Sequence, residues 1–298
     1  MGALSKGTNF DPVLVKDLIN KVKGHSSLSK LCAATPIEFT GQKEFIFSMD
    51  KEIDIVAENG AKSHGGISVS PVTIVPIKFE YGARVSNEFI YAADEEQIKI
   101  LQAFNDGFAK KIARGLDLAA FHGVNPRTGA ASNVVNQNDF DDKITSKIVY
   151  NAEHADDNLD AAVAAVLGAD GDVTGIAMSP GFASAMSKLK VNGVPQYPEF
   201  RFGGKPASFA GLALDVNKTV ADMTTVGTAS YCYVGDFAHA FKWGYAKEIP
   251  LKVIEYGCPD NDTEAGDLQG HNQVYLRAEV FLGWGILLPE SFAKIHTA

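Results

Sequence analysis

One apolar stripe of unusual length constrains this chain more than any other feature. Ile98, Leu101, Phe104, Phe108, Ile112, Leu116 and Ala119 recur every three or four residues, the spacing that lines up side chains on one helical face. Asp94 stands where a cap belongs, with Gln97 placed to reach back to it. Glu95 and Glu96 suit the positive end of the helix dipole, and Lys110, Lys111 and Arg114 lie toward the negative end. Gly123 supplies a stop. The spacing predicts one helix over 94–122, about 43 Å long at the usual rise per residue, which is long for a compact domain in a chain of this size. Gly107 and Gly115 fall inside it, each at a cost of roughly 1 kcal/mol, and are read as points of close backbone contact. Asp117 is read as a buried ion-pair partner for Arg114 or for a neighbouring subunit.

Ahead of that helix, residues 36–86 read as strand. Phe45, Phe47 and Met49 alternate with other residues, followed by Ile53 and Ile55. A polar stretch from Glu58 through Asn59-Gly60 to Gly65-Gly66 comes next, and a second β-rich run covers 67–85. The pattern predicts a long hairpin with a glycine-rich tip. Pro71 and Pro76 lie in the return run and cannot donate to a ladder, so that strand is expected to keep a free edge. A two-stranded ribbon is marginal alone in water and needs a surface to lie on, which another subunit could supply. Residues 1–35 read as an arm with one helix, on the spacing of Leu14, Leu18, Ile19 and Val22.

The remainder mixes helix and strand. Residues 125–150 read as loop and turn with one strand, and 156–190 as helix, strand and helix, with Pro180 opening the last. Strands follow over 212–216, 231–234, 240–245 and 251–255. After an acidic loop over 257–270 come strands over 273–281 and 285–288, then a short apolar end at Phe292 and Ile295.

Composition narrows the function. The chain has 298 residues, 46% of them hydrophobic, which is enough for a real core in one large domain or two. Its formal charge of −9 repels nucleic acid phosphate, and no basic face suited to base reading is present. Cys32, Cys232 and Cys258 are far apart with no CxxC pairing, which argues against a zinc site or a disulfide framework. No apolar run reaches the ~18 residues of a membrane helix. There is no P-loop, no GxGxxG after a strand, no GxSxG elbow and no HExxH. Gly203-Gly204 and Gly283-Trp284-Gly285 read as turns and close strand packing. Glu153, His154, Asp156 and Asp157 are the nearest thing to a metal cluster, and an acidic first turn of the following helix accounts for them without a metal. No catalytic residue and no cofactor is expected.

Several stretches in collinear order resemble one family, the Hong Kong ninety-seven-type major capsid proteins of tailed phages. Residues 56–62, VAENGAK, resemble the acidic-Gly-Lys tip of its extended loop, and 77–88, IKFEYGARVSNE, its returning strand. The 94–122 helix, with ARGLDLAA late in it and His122-Gly123 after, resembles the spine helix. Residues 193–197 and 209–216 resemble the middle of the axial domain, and 234–237 its Gly-Asp-aromatic strand end. Residues 272–279, then Leu287-Leu288-Pro289 and Phe292, resemble the final strands.

The resemblance implies an α+β fold with an N-terminal arm over 1–35 and an extended loop over 36–86. A peripheral domain would cover 87–149 and 251–298, with the spine helix over 94–122, and an axial domain would cover 150–250. It implies self-assembly through pentamers and hexamers into an icosahedral or prolate virion shell around double-stranded DNA. A separate scaffolding protein and a portal would be partners, and assembly would take place in the host bacterial cytoplasm. Leu14, Leu18 and Val22 of the arm and Glu58, Lys62 and His64 of the loop are then the expected inter-subunit contacts. Some members crosslink a loop lysine to an asparagine of the next subunit. Lys62 has a suitable position, but Asn261 lies in a late loop and matches no motif for that partner, so no crosslink is expected. An encapsulin-like compartment and a soluble α/β enzyme built on 156–190 are the alternatives.

Overall fold

The structure, a computed structural model, describes residues 26–87, 94–221, 230–262 and 264–297. The arm positions Leu14, Leu18, Ile19 and Val22, and the side chains of Asp94 through Ile98, the first residue of the expected stripe, lie outside the described residues. The described residues begin with helix α1 (Ser27–Leu31), then strands β1 (Gln42–Met49), β2 (Ile67–Ile74) and β3 (Ile77–Ser86). Helix α2 (Asp94–His122), helix α3 (Phe140–Lys143) and strand β4 (Ser146–Val149) follow. Next come α4 (Ala155–Gly168), β5 (Gly175–Met178) and α5 (Pro180–Lys188). Two short strands, β6 (Lys190–Val191) and β7 (Val194–Pro195), form their own hairpin, and β8 (Ser208–Phe209) and β9 (Leu212–Val216) come after. The chain closes with β10 (Ser230–Gly235), β11 (Phe241–Ile254), β12 (Gln273–Ile286) and β13 (Phe292–His296).

The stripe expected on α2 is its buried face: Leu101, Phe108, Ile112, Leu116 and Ala119 enter the first core, while Lys110 and Lys111 stay in water. Burial of a side chain of this kind stabilises by roughly 1.5–3 kcal/mol. The helix stops at Gly123, whose φ is +64° and whose N–H donates to the Ala119 carbonyl at 3.0 Å. Of the two interior glycines, Gly115 lies where a Cβ would touch Phe79 and Pro126 at 3.5 Å. No described atom lies within 4 Å of that position at Gly107, so no close contact among the described residues explains it.

Against α2 lies a three-stranded antiparallel sheet, β11-β12-β3. Val274, Leu276, Ala278, Val280, Leu282, Trp284 and Ile286 of β12 are buried toward the core. Between them Tyr275, Arg277 and Phe281 are half-buried on the opposite face, the period of two that a strand imposes. On that face Glu279 holds Lys78 at 2.6 Å.

A six-stranded mixed sheet, in the order β4-β13-β10-β5-β9-β8, is the wall between two cores. Cys232, Val234, Ala293 and Ile295 face the second core, closed by Leu159, Ala162 and Val166 of α4 and Phe182 and Met186 of α5. Ala177, Tyr233 and Phe292 look the other way, into the first core with α2.

Four expectations change. The return run of the ribbon is not one strand. It breaks at Val75-Pro76, and its second half is β3, an edge of the three-stranded sheet. The cause is Ile74, fully buried with its side chain over Gly283 and Gly285, which pins the chain at that point. The strands expected over 240–245 and 251–255 are one, β11, whose register shifts between Tyr245 and Lys247 and between Ile249 and Lys252. Pro250 sits in the second irregularity, where a missing N–H costs no ladder bond. Likewise 273–281 and 285–288 join as β12, because Gly283 and Gly285 make room for Ile74 without turning the chain. The apolar end at Phe292 and Ile295 is a strand interior to the larger sheet, antiparallel to β10 and parallel to β4.

Candidate assembly surface

Among the described residues, strands β1 and β2 pair only with each other. Their register sets Phe45 opposite Pro71, Phe47 opposite Val69 and Met49 opposite Ile67. Directly opposed residues share a face, so these six side chains form one apolar surface. It faces solvent: Phe45 is 68% exposed, Phe47 57%, Met49 69%, Ile67 67% and Val69 55%. The other face carries Glu44, Ile46, Ser48 and Val72 and turns toward the body, where Lys242 of β11 pairs with Glu44. The ribbon thus points its hydrophobic side outward, the reverse of a strand pair covering its own core. A contiguous exposed apolar patch of this kind marks an interaction site.

Beyond Met49 the ribbon opens into a tip. Its neck is closed by the Asp50 N–H on the Gly66 carbonyl at 3.3 Å and by the Gly66 N–H on Asp50 Oδ1 at 2.5 Å. Asn59, with φ +65°, makes the turn in which the Gly60 N–H reaches the Ala57 carbonyl at 2.8 Å. Ile53 and Ile55 are 95% and 97% exposed. Glu58, Lys62 and His64 are all exposed on this tip. Lys51 Nζ reaches the backbone of the tip, donating to the His64 carbonyl at 3.4 Å. Sequence reasoning chose the charged tip residues and passed over Phe45, Phe47, Met49, Ile67 and Val69 as site candidates. The alternation of the first three was visible, but the register that sets Ile67 and Val69 beside them is not a sequence property.

Asp117 is not an ion-pair partner of Arg114. Fully buried, it accepts from the Ser26 hydroxyl, from the Ser27 N–H at 2.9 Å and the Leu28 N–H at 3.3 Å. It also accepts from the Thr219 hydroxyl at 2.6 Å and the Asn217 amide at 3.4 Å. Burial pushes its pKa up to about 6, against the pull of these donors. The Thr219 carbonyl in turn faces His122 Nε2 at 2.9 Å, and His122 Nδ1 faces Asp141 Oδ2 at 2.7 Å. Both ring nitrogens of His122 therefore face oxygens. Lys294 and the Tyr233 hydroxyl donate to Asp141 Oδ1 at 2.8 and 2.9 Å. Burial works to raise Asp141, but His122 and Lys294 outweigh it and hold its carboxyl well below the usual range. This network joins the end of α2 to α3, β10 and β13.

In the 153–157 turn the structure brings together His154 and Asp157, at 3.1 Å and both exposed, as part of the acidic start of α4. Among the described residues no three His, Cys, Asp or Glu side chains converge as a metal site. No described helix is long and apolar enough to cross a membrane.

The fold and the outward ribbon are those of a shell subunit. The sequence pattern of the phage capsid family matches residues 10–297, and the chain belongs to that family. It is a major capsid protein with the Hong Kong ninety-seven-type α+β fold, a structural component of the virion shell. Among solved structures it is similar to a chain of Mycobacterium phage Ogopogo, at 31% identity and a TM-score of 0.79, covering 100% of this chain and 95% of that one. A chain of Gordonia phage Cozz is 24% identical with a TM-score of 0.75, over 92% of this chain and 87% of that one. The capsid of a native GTA particle shares the fold at 15% identity and a TM-score of 0.65, over 91% of this chain and 90% of that one. No curated protein matches the chain.

Proposed function

We propose that this capsid protein closes an icosahedral or prolate head shell around a double-stranded DNA genome, with the outward apolar face of the ribbon seated on a neighbouring copy. That face carries the reading: Phe45, Phe47, Met49, Ile67 and Val69 are left in water by the described residues of their own chain. Under symmetry one such contact repeats at every subunit, which is how modest contacts close a shell. Glu58, Lys62 and His64 at the tip would extend the same contact, and Leu14, Leu18 and Val22 of the arm would reach other neighbours. The second core with α4 and α5 would serve as the axial domain that meets its copies in pentamers and hexamers, and α2 with the three-stranded sheet as the peripheral one. A chain of net charge −9 offers packed DNA a wall that does not bind it. A separate scaffolding protein and a portal would complete the head in the bacterial cytoplasm.

Electron microscopy with light scattering, on the protein expressed alone and then with a candidate scaffold, tests this. Closed shells hundreds of ångströms across are expected. A monodisperse monomer, dimer or tetramer under both conditions overturns it.

A further inference from the structure

Residues 26–37 lie across the body of the subunit like a strap. At one end Ser26 caps α1, accepting from the Ser29 N–H at 3.2 Å, and Ser26, Ser27 and Leu28 all donate to Asp117 of α2. From the other side Asp215 of β9 accepts from the Ser27 hydroxyl and from Lys30 Nζ, both at 2.6 Å. Leu28 fills the first core with no exposure. Farther on, the Trp243 ring N–H donates to the Cys32 carbonyl at 2.9 Å. The Thr35 and Ile37 N–H groups then join the edge of β11 at the Trp243 and Tyr245 carbonyls, at 2.9 and 3.1 Å. Gly244 lets Thr35 pass, since a Cβ there would collide with the Thr35 carbonyl.

The side chains along this strap are not equivalent. Among the described side chains outside the strap, Asp117 alone receives backbone N–H groups of the strap's first turn, one on each oxygen: Ser27 on Oδ2 and Leu28 on Oδ1. A charge buried this completely is tolerated because donors surround it. We infer that Asp117 is a positioning residue, whose carboxylate fixes where residues 26–31 lie on the body of the subunit, and that shell assembly depends on that placement. The second half of that statement rests on the shell reading above; the first half does not.

Asp117→Asn separates positioning from mere support. Whichever way the amide is turned, its NH2 replaces an oxygen that accepts from Ser27 or Leu28 and faces a donor. Thr219→Val removes a different donor from the same carboxylate and leaves both strap acceptors in place. Hydrogen exchange on the full chain should show amides 27–31 exchanging roughly tenfold faster or more in Asp117→Asn, with β12 still protected, and should show no such change in Thr219→Val. Equal loosening in both variants, or none in either, overturns the inference. Should Asp117→Asn fail to fold, Asp117→Glu shifts the carboxylate by one methylene and leaves the Ser26 cap of α1 in place, and amides 27–31 should again loosen ahead of the rest; protection equal to the unaltered chain overturns it. Shells are then imaged for the same variants beside the unaltered chain. Normal shells from a variant with a loosened strap overturn the second half of the inference. Absence of shells from the unaltered chain overturns the shell reading and, with it, that second half, while the exchange result stands by itself.

Discussion

Replacing Phe45 and Phe47 together by serine is the sharpest test of the ribbon. The two rings are 68% and 57% exposed, and a phenylalanine has roughly 200 Å² to cover. About 250 Å² of apolar surface therefore stands open on this chain, worth about 6 kcal/mol if a neighbour covers all of it at 25 cal/mol per Å². Half coverage leaves about 3 kcal/mol per subunit contact, roughly a 150-fold change in that contact's equilibrium constant. The subunit itself should barely notice, since surface changes away from packed features stay within about 0.5 kcal/mol. The assay is the threshold concentration for shell formation by light scattering, with thermal unfolding of the same preparations as the control. The threshold should rise by two orders of magnitude or assembly should vanish, with the melting temperature held. An unchanged threshold refutes the assignment of this face to a neighbour. A melting temperature several degrees lower refutes it differently, by showing that the rings are packed within their own chain.

Deleting residues 57–66 should leave a folded subunit that assembles poorly, judged by circular dichroism and electron microscopy; normal shells would sink the role given to the tip. Asp141→Asn strips the carboxylate from two buried partners, His122 and Lys294, and should cost about 3–5 kcal/mol in urea unfolding. Lys294→Met leaves the His122–Asp141 pair and should cost less; the reverse order would refute this account of the network. Asp117 supplies a pH test. Its folded pKa, raised by burial to about 6, lies above its unfolded value, so the folded state holds the proton more tightly. Its contribution to stability is present at about pH 4, declines as the pH rises through 6, and is flat above. The stability of the unaltered chain relative to Asp117→Asn should therefore be larger at pH 4 than at pH 7 by denaturant titration; a constant difference would contradict the burial of this carboxylate.

What was legible in the sequence follows from the range of the physics involved. The stripe from Leu101 to Ala119 is local, and a helix of 3.6 residues per turn needs nothing else to be read, so the bounds that the sequence predicts for α2 are those of the fold, Asp94–His122. Single residues whose effect depends on a distant partner were not legible. Ile74 splits the return run because Gly283 and Gly285, some two hundred residues later, make its seat. Asp117 looked ready for Arg114 because they share a helix, whereas its partners come from 26–28 and 217–219, which only the fold brings together. The buried pair of His122 and Asp141, closed by Lys294, left no spacing signal.

The ribbon shows where such reading stops, and why. Alternating Phe45, Phe47 and Met49 state that one face of β1 is apolar. They say nothing of what covers it, since the same period of two serves a strand lying on its own core. Even a correct pairing of β1 with β2 would have left that open, because both strands agree about which side is greasy. The question is decided by Glu44 and Ile74 on the opposite face: one is paired to Lys242, the other buried over β12. Those two contacts commit the more polar side of the ribbon to its own body and leave the apolar side with no occupant among the described residues. In a subunit whose family builds shells, the occupant proposed is a copy of itself, and that step from an exposed face to an assembly could be taken only after the inward face was accounted for.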